Sequence, residues 1–235
     1  MAGRRVVGIH QPEYLPWMGF LNKLANSDAF VLLDNVQFRR NYFQNRNRIR
    51  TSDGWTWLTV PVKKAPLECL ISEIEIDGSK PWGETHWKNL KQNYSKARHF
   101  TEYSEFFGET YLRDWAKLAE LNIRIIRFFA ESLGIECEIV LASKLHATGT
   151  GSGLLLKICE EMDADIYLSG RFGRDYLDEG VFREAGIEVI YQDFHHPEYE
   201  QVYQPFVPDL AGVDLLFNCG AEGIKAMRDG WRLTR

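Results

Sequence analysis

The chain has 235 residues, of which 45% are hydrophobic and 26% are charged, and its formal net charge is −5. This composition is typical of a globular protein, and the acidic balance argues against a nucleic-acid partner, because proteins that bind the phosphate backbone usually carry a basic excess. The length favours a single α/β domain over residues 1–235 with insertions.

The cysteines and the apolar segments predict a cytoplasmic protein without membrane insertion. The four cysteines form no CxxC pair, and none has a histidine at zinc-binding spacing. We therefore expect reduced, structural cysteines and no metal site. The apolar run Val6–Ile9 is too short for the core of a signal peptide, and the chain holds no apolar window long enough to cross a bilayer.

The first third of the chain begins with a β-α-β pattern. Val6–Ile9 and Ala29–Leu33 are apolar runs typical of buried strands, and Trp17–Asn26 between them has helical spacing. Residues 36–80 then predict a β-rich insertion, with strands at Trp55–Val60 and Ile71–Ile76.

Residues 82–133 predict a helical segment, with a helix at Trp82–Tyr94, a break at Lys96–His99 and one long helix that ends at Gly134. The remaining strands and helices alternate, at Glu138–Leu141, Thr150–Met162, Ile166–Leu168, Tyr176–Ala185 and Ile187–Tyr191, before an interrupted helix at Leu215–Met227. This alternation predicts an α/β fold, with a mostly parallel, Rossmann-like sheet flanked by helices.

The turn after the first strand carries His10, Gln11 and Tyr14. Pro12 and Pro16 restrict this turn, because each proline fixes its own φ and biases the residue before it. Ligands of open α/β sheets bind beyond the carboxyl ends of the strands. We therefore predict that His10 is a catalytic general base or phosphate donor, and that Gln11 and Tyr14 bind substrate.

Polar residues also follow the second strand. Asp34 is predicted as the second catalytic residue, which orients His10 or holds the acceptor, and Gln37 as a substrate ligand. The segment Asn41–Arg48 is rich in side chains that donate hydrogen bonds, and Asn45, Arg46 and Arg48 within it are predicted to bind substrate. The arginine fork suits phosphate or carboxylate, and the alternative interpretation is a solvated edge strand.

Two later strand ends complete the predicted site. After Ile166–Leu168, the turn presents a hydroxyl, glycine and arginine in Ser169, Gly170, Arg171 and Tyr176. After Ile187–Tyr191, the predicted ligands are His196, Tyr199 and Gln201. Asp214 near the last helix is interpreted as a structural helix cap.

These motifs together resemble the WbqC-like protein family. The match extends from Val6 to Gly220 and is carried by Gly8–Phe20, Asp34–Gln37, Gln44–Arg48, Leu168–Gly170, Asp175–Leu177, His196–Gln201 and Asp214–Asn218. The resemblance implies a place in bacterial surface-polysaccharide synthesis, such as that of O-antigen. The His10 turn is also similar to the signature turn of nucleotidyl transferases and class I synthetases, although Gly19–Phe20 supplies no second histidine.

The resemblance and the strand-end residues together lead to a functional prediction. We expect a transferase that moves an acyl or aminoacyl group to an amino sugar or a nucleotide-linked sugar. One alternative is a nucleotidyl transferase or ATP-dependent ligase, which would use a nucleotide with Mg²⁺. Another is a non-enzymatic binding or scaffold protein of polysaccharide assembly, and the sequence leaves a homo-oligomer open.

Overall fold

The structure is a computed structural model that describes residues 3–233. Its strands are β1 Val6–His10, β2 Ala29–Leu32, β3 Arg46–Thr51, β4 Gly54–Thr59, β5 Glu138–Leu141, β6 Ile166–Ser169 and β7 Glu188–Tyr191. Its helices are α1 Met18–Ala25, α2 Trp82–Tyr94, α3 Phe100–Leu112, α4 Leu118–Ser132, α5 Gly151–Glu161, α6 Glu179–Glu184, α7 Gly212–Cys219 and α8 Gly223–Gly230.

Five strands form one parallel sheet in the order β5-β2-β1-β6-β7. The chain starts at the central strand, builds outward to β5 and then returns to build the other half from β6. The order reverses between β1 and β6, and such a switch point leaves a crevice at the carboxyl ends of the strands. The predicted α/β class and mostly parallel sheet are confirmed.

Helices cover both faces of this sheet. Successive residues of a strand point to opposite faces, so both faces carry apolar side chains that helices bury. Val7 and Ile9 of β1 belong to a buried apolar cluster with side chains of α5 and α6. Phe30 and Leu32 of β2 belong to a larger cluster with side chains of α1, α4, α7 and α8. The strands are apolar on both faces, as a doubly covered parallel sheet requires.

The β-rich insertion contains one hairpin, in which β3 and β4 pair in antiparallel register. The strand predicted at Ile71–Ile76 is wrong: Ile71–Glu73 forms a 3-10 turn, and Ile76 makes only an isolated bridge to Val62. The Glu73 carboxylate accepts a hydrogen bond from Leu70 N at 2.9 Å, which closes the turn. Ile71, Ile74 and Ile76 are buried in the core. Their burial explains the spacing of these apolar residues, and alternation along a strand does not.

The helical segment contains α2, α3 and α4, so the prediction of one long helix up to Leu133 is wrong. Helix α3 ends at Leu112, where the Trp115 indole N–H donates to Thr110 O at 2.7 Å. The chain then pairs with the insertion, since Leu118 N donates to Ile74 O at 3.0 Å. These hydrogen bonds, one from a side chain and one from the backbone, hold residues 113–117 out of the helix. The predicted stop at Gly134 is confirmed by its φ of 62°.

Helix α6 begins later than the sequence predicts, at Glu179, because the Asp178 carboxylate caps it by accepting from Gly180 N at 3.0 Å. The predicted interruption of the last helix is confirmed, and Gly220 with a φ of 61° separates α7 from α8. The larger core cluster joins the sheet, the hairpin and the helical segment. This continuity supports the single-domain organisation, which stays a prediction.

Candidate functional site

A buried ammonium group occupies the switch point. Along β1, Arg5 O accepts from the first residue of β6 and His10 O accepts from the residue after β2. Because bonding directions alternate along a strand, Ile9 O faces β6. Pairing with β6 has already ended at Gly8, and Lys23 Nζ donates to Ile9 O at 2.6 Å instead.

Lys23 reaches this position from α1, a short helix whose residues from Met18 to Leu24 are all buried. Burial of the ammonium lowers the pKa of Lys23 to about 7, and the nearby Cys159 and Glu13 oppose this shift. The amine is therefore divided between its charged and neutral forms near neutral pH.

His10 lies at the end of β1, with its ring edge-on to Phe20 at a centroid distance of 5.0 Å. Its Nδ1 lies 3.0 Å from Gln11 O. A carbonyl oxygen only accepts, so Nδ1 carries the proton and Nε2 is left as the basic nitrogen. Desolvation, followed by the charge of Lys23, lowers the pKa of His10 to about 4. The side chain keeps 33% of its surface exposed, so water offsets part of that desolvation and can reach the ring.

Glu13 is buried in the same turn, and its Oε2 has no hydrogen-bond partner among the described residues. Burial raises the pKa of Glu13 to about 8, although the Lys23 charge acts in the opposite direction. Its Oε1 lies 4.0 Å from His10 Nδ1. At neutral pH the carboxyl group is therefore mostly protonated and can act as an acid.

His10, Glu13 and Lys23, named the strand-end cluster below, place a weak base, an acid and an amine together at the switch point. Such separation of pKa values is characteristic of proton-transfer sites. The sequence indicated His10 but missed Glu13 and Lys23. The available signal for Lys23 is that it is the one charged residue of a short, mostly apolar helix. The signal for Glu13 is a carboxylate within the proline-restricted turn.

Gln11 follows His10 in the chain, and Asp34 lies two residues after Leu32, which pairs with His10, but both side chains contact other partners. The Asp34 carboxylate accepts from Ser143 N at 2.8 Å and from Ser143 Oγ at 2.7 Å. It thereby ties the end of β2 to the turn after β5. Gln11 Oε1 accepts from Gln44 Nε2 at 2.6 Å. Orientation of His10 by Asp34 stays a prediction, since both carboxylate oxygens already have these partners.

The predicted ligands after β6 share the carboxyl edge with the cluster, because β6 pairs directly with β1. Ser169 is buried, and a Cβ on Gly173 would lie 2.1 Å from its Oγ. The following turn therefore passes closely over this hydroxyl. Arg171 and Tyr176 are exposed and are free to meet a ligand at the rim, with Gly170 between the strand and the turn.

Three predicted ligands support the fold in this structure. Tyr14 is fully buried, and its hydroxyl bonds to His86 Nδ1 at 2.7 Å and to the Tyr111 hydroxyl at 2.6 Å. Asn45 is buried and donates to the carbonyl of residue 60 at 3.0 Å. Gln37 donates to the carbonyl of residue 67 at 2.7 Å. Their contact with substrate stays a prediction, and for Tyr14 it would require a rearrangement of the core.

Arg46 and Arg48 lie on the outer face of the hairpin. Asn47 between them points inward and donates to Leu15 O at 2.8 Å. Since side chains alternate along β3, the two arginines point away from the His10 turn. The structure therefore does not bring Arg46 and Arg48 together with the strand-end cluster.

Tyr199 and Gln201 belong to a separate group of hydrogen-bonded side chains, centred on the fully buried Asp214 of α7. Its carboxylate accepts from the Tyr199 hydroxyl at 2.6 Å, from Gln201 Nε2 at 2.9 Å and from the Tyr94 hydroxyl at 2.9 Å. Burial raises the pKa of Asp214, and these hydrogen bonds oppose the shift. Asp214 is structural, as the sequence indicates, but its side chain binds this network and does not cap the helix.

His196 lies beside this group, with its Nδ1 2.9 Å from Pro197 O. Its Nε2 is buried and has no partner among residues 3–233. Burial lowers the pKa of His196, although the hydrogen bond to Pro197 and the charge of Asp209 oppose the shift. Burial thus favours the neutral form of this imidazole.

Two open grooves lie away from the strand-end cluster. One of 570 Å³ is lined by side chains of the α3–α4 region, including Trp115, Arg124 and Phe128. The other, of 440 Å³, lies beside α6 and β7 and includes Arg183 and Val189. Neither is lined by a predicted site residue. We place the candidate site by its chemistry and by the sheet topology, because groove size alone says nothing about proton transfer.

Residues 3–233 contain no cluster of three or more histidine, cysteine or acidic side chains arranged to hold a metal ion. The four cysteines are free thiols. Within the same described range, no helix combines the length and apolar character needed to cross a bilayer.

The strand order and the strand-end cluster define a doubly wound α/β protein with titratable groups at its topological switch point. The chain belongs to the WbqC-like protein family, whose sequence profile matches residues 11–226. It is 36% identical over 225 residues to "Uncharacterized protein Rv1507c" of Mycobacterium tuberculosis, with 94% of this chain and 97% of that protein covered. No solved structure matches the chain.

Proposed function

We propose that this protein is an enzyme of bacterial surface-polysaccharide biosynthesis that transfers an acyl or aminoacyl group to an amino sugar, either free or nucleotide-linked. The strand-end cluster is the observation that carries the proposal, because acyl transfer to an amine needs one group to take a proton and another to give one. The pathway is the one implied by the family resemblance.

In the proposed reaction, the sugar amine attacks the carbonyl carbon of an activated acyl donor. The new C–N bond makes the nitrogen strongly acidic, so His10 Nε2 can take its proton although the pKa of His10 is only about 4. The bond to the leaving group then breaks, and the protonated Glu13 carboxyl gives its proton to that group. Return of the same proton from His10 Nε2 to the Glu13 carboxylate by way of water restores both residues and the starting tautomer of His10, whose side chain is 33% exposed.

Lys23 acts as a positioning residue in this scheme. It is buried and bonded to Ile9 O, and its charge helps to keep His10 neutral. The exposed Arg171 lies at the neighbouring strand end and would bind a phosphate or carboxylate of the donor or acceptor.

The test compares polysaccharide from host strains that carry either the wild-type gene or a His10→Gln gene. Glutamine can still donate to Gln11 O but cannot take a proton, so we expect the acyl group to be lost from the surface polysaccharide, with a matching mass decrease in mass spectrometry. His99→Gln is the matched control, because His99 lies at the start of α3 and pairs with Glu102. An unchanged acyl content in the His10→Gln strain would contradict the proposal.

A further inference from the structure

The outer face of the hairpin carries a second cluster, formed by Arg46, Arg48, Trp55 and Trp57 and named the Arg–Trp face below. Arg48 pairs across the strands with Trp57. The Arg46 guanidinium carbon lies 4.3 Å from the centroid of the Trp57 ring, and that of Arg48 lies 5.0 Å from the Trp55 ring. These cation–π contacts favour positions of the two guanidinium groups over the indole rings.

The two arginines carry uncompensated charge. Among the ion pairs of residues 3–233, none involves Arg46 or Arg48. One Nη–H group of Arg48 donates a hydrogen bond to Asp209 O at 2.9 Å. The side chain of Arg46 has no hydrogen-bond acceptor among residues 3–233. The Nε atoms of both are buried without a partner. The face therefore has positive charge that no carboxylate of the described chain neutralises.

The same face exposes flat apolar surface beside the charge. Trp55 is 45% exposed, and its ring meets that of Trp57 edge-on at 5.8 Å. Tyr42, which is 47% exposed, lies against Phe43, and Phe43 lies 6.3 Å from Trp57. An exposed indole next to guanidinium groups suits a ligand with an apolar ring face and one anionic group.

The positive stripe is short, and this limits the class of ligand. The next arginine along the same side of β3, Arg50, is buried and donates to Thr51 O, Gly54 O and Pro205 O. Only Arg46 and Arg48 remain open on this side of the strand. A nucleic-acid strand needs a groove that follows many phosphates, whereas two arginines match a single phosphate or carboxylate.

We propose that the Arg–Trp face binds an anionic sugar, with its ring stacked on Trp55 and its phosphate or carboxylate held by Arg46 and Arg48. Because Asn47 separates this face from the His10 turn, the site is distinct from the strand-end cluster and does not depend on the proposed acyl transfer. The anion can belong to a free sugar phosphate or to a uronic acid within a glycan chain.

The experiment follows the indole N–H signals of ¹⁵N-labelled protein during titration with glucose 1-phosphate, a hyaluronan hexasaccharide, maltohexaose or an oligothymidylate. We expect the Trp55 and Trp57 signals to shift with one or both anionic sugars and not with the neutral maltohexaose. Tighter binding of the hexasaccharide would identify a glycan chain as the source of the anion, and tighter binding of glucose 1-phosphate would identify a free sugar phosphate.

Variants test the assignment to named residues. Arg46→Gln with Arg48→Gln should weaken binding by about tenfold or more, whereas Arg127→Gln on the exposed side of α4 should leave it unchanged. Trp55→Phe should retain more binding than Trp55→Ala, and this comparison guards against a folding defect. The proposal would be overturned by the absence of any shift, by equal binding in the double variant, or by tighter binding of the oligothymidylate.

Discussion

At the scale of single residues, one cause moves three pKa values in the strand-end cluster. Removal from water penalises whichever form is charged. Burial therefore lowers the pKa of His10 and Lys23 and raises that of Glu13. The result at neutral pH is a neutral imidazole, a carboxylic acid and a partly neutral amine, which are the protonation states that the proposed reaction uses.

Glu13 should make stability depend on pH in a specific direction. Its ordinary pKa is 4.5, and burial raises it to about 8 in the folded protein. The folded state therefore keeps a proton that the unfolded state releases, so this contribution is complete below pH 4.5 and is lost as the pH rises to about 8. In Glu13→Gln the neutral amide has no such loss. We expect the free energy of unfolding of this variant to gain on the wild type by about 1 kcal/mol per pH unit over this range.

Urea unfolding of both proteins at several pH values measures this difference. Lys23 titrates in the same region with a pKa of about 7, and comparison of the two proteins at each pH largely removes its contribution. Glu13→Asp serves as the control, because it keeps a titrating carboxyl group. Parallel stability profiles for the wild type and Glu13→Gln would show that Glu13 is not held protonated by the fold.

At the scale of elements, the contact between α2 and α3 depends on a missing side chain. A Cβ on Gly83 would lie 2.0 Å from the backbone oxygen of Tyr111, and a backbone atom cannot move aside as a side chain can. Gly83→Ala should therefore destabilise the protein by about 1–3 kcal/mol, measured by urea unfolding.

Gly153 in α5 provides the matched control, since a Cβ there meets nothing within 4 Å. Gly153→Ala should increase stability by about 0.5–1 kcal/mol, because alanine loses less backbone entropy in a helix. A Gly83→Ala protein as stable as Gly153→Ala would mean that α2 and α3 are not packed as closely as described.

Strong local patterns predicted most elements correctly, and tertiary contacts explain the failures. The β-α-β unit from Val6 to Leu32 follows from its apolar runs. Ile71–Ile76 failed because buried isoleucines look alike in a strand and in a core-facing turn. The sequence predicts His10 because a strand end is visible in it, whereas the burial of Lys23 is not visible, and the catalytic role of His10 stays a prediction. Arg46 was assigned to the strand-end site because a sequence does not show which face of the hairpin points toward the sheet.

At the scale of the whole molecule, a polar network joins segments that are distant in the sequence. The Tyr94 hydroxyl of α2 accepts from Arg50 N of β3 at 2.8 Å and donates to Asp214 of α7. The strand Arg46–Thr51 is thus fixed to both helices. Together with the larger core cluster, this network connects the hairpin and the helical segment to the part of the chain that forms the sheet.

The chain should therefore unfold as one cooperative unit. Five of the seven tryptophans lie in the insertion and the helical segment, at Trp55, Trp57, Trp82, Trp87 and Trp115, so tryptophan fluorescence reports mainly on those parts. Far-ultraviolet circular dichroism reports on all helices and strands. We expect both signals to give the same urea midpoint and slope, as two-state unfolding requires. Asp214→Asn should lower both midpoints together, because it weakens the network that joins the segments. A fluorescence transition at lower urea than the dichroism transition would instead divide the chain into two units, and the single-domain prediction would be wrong.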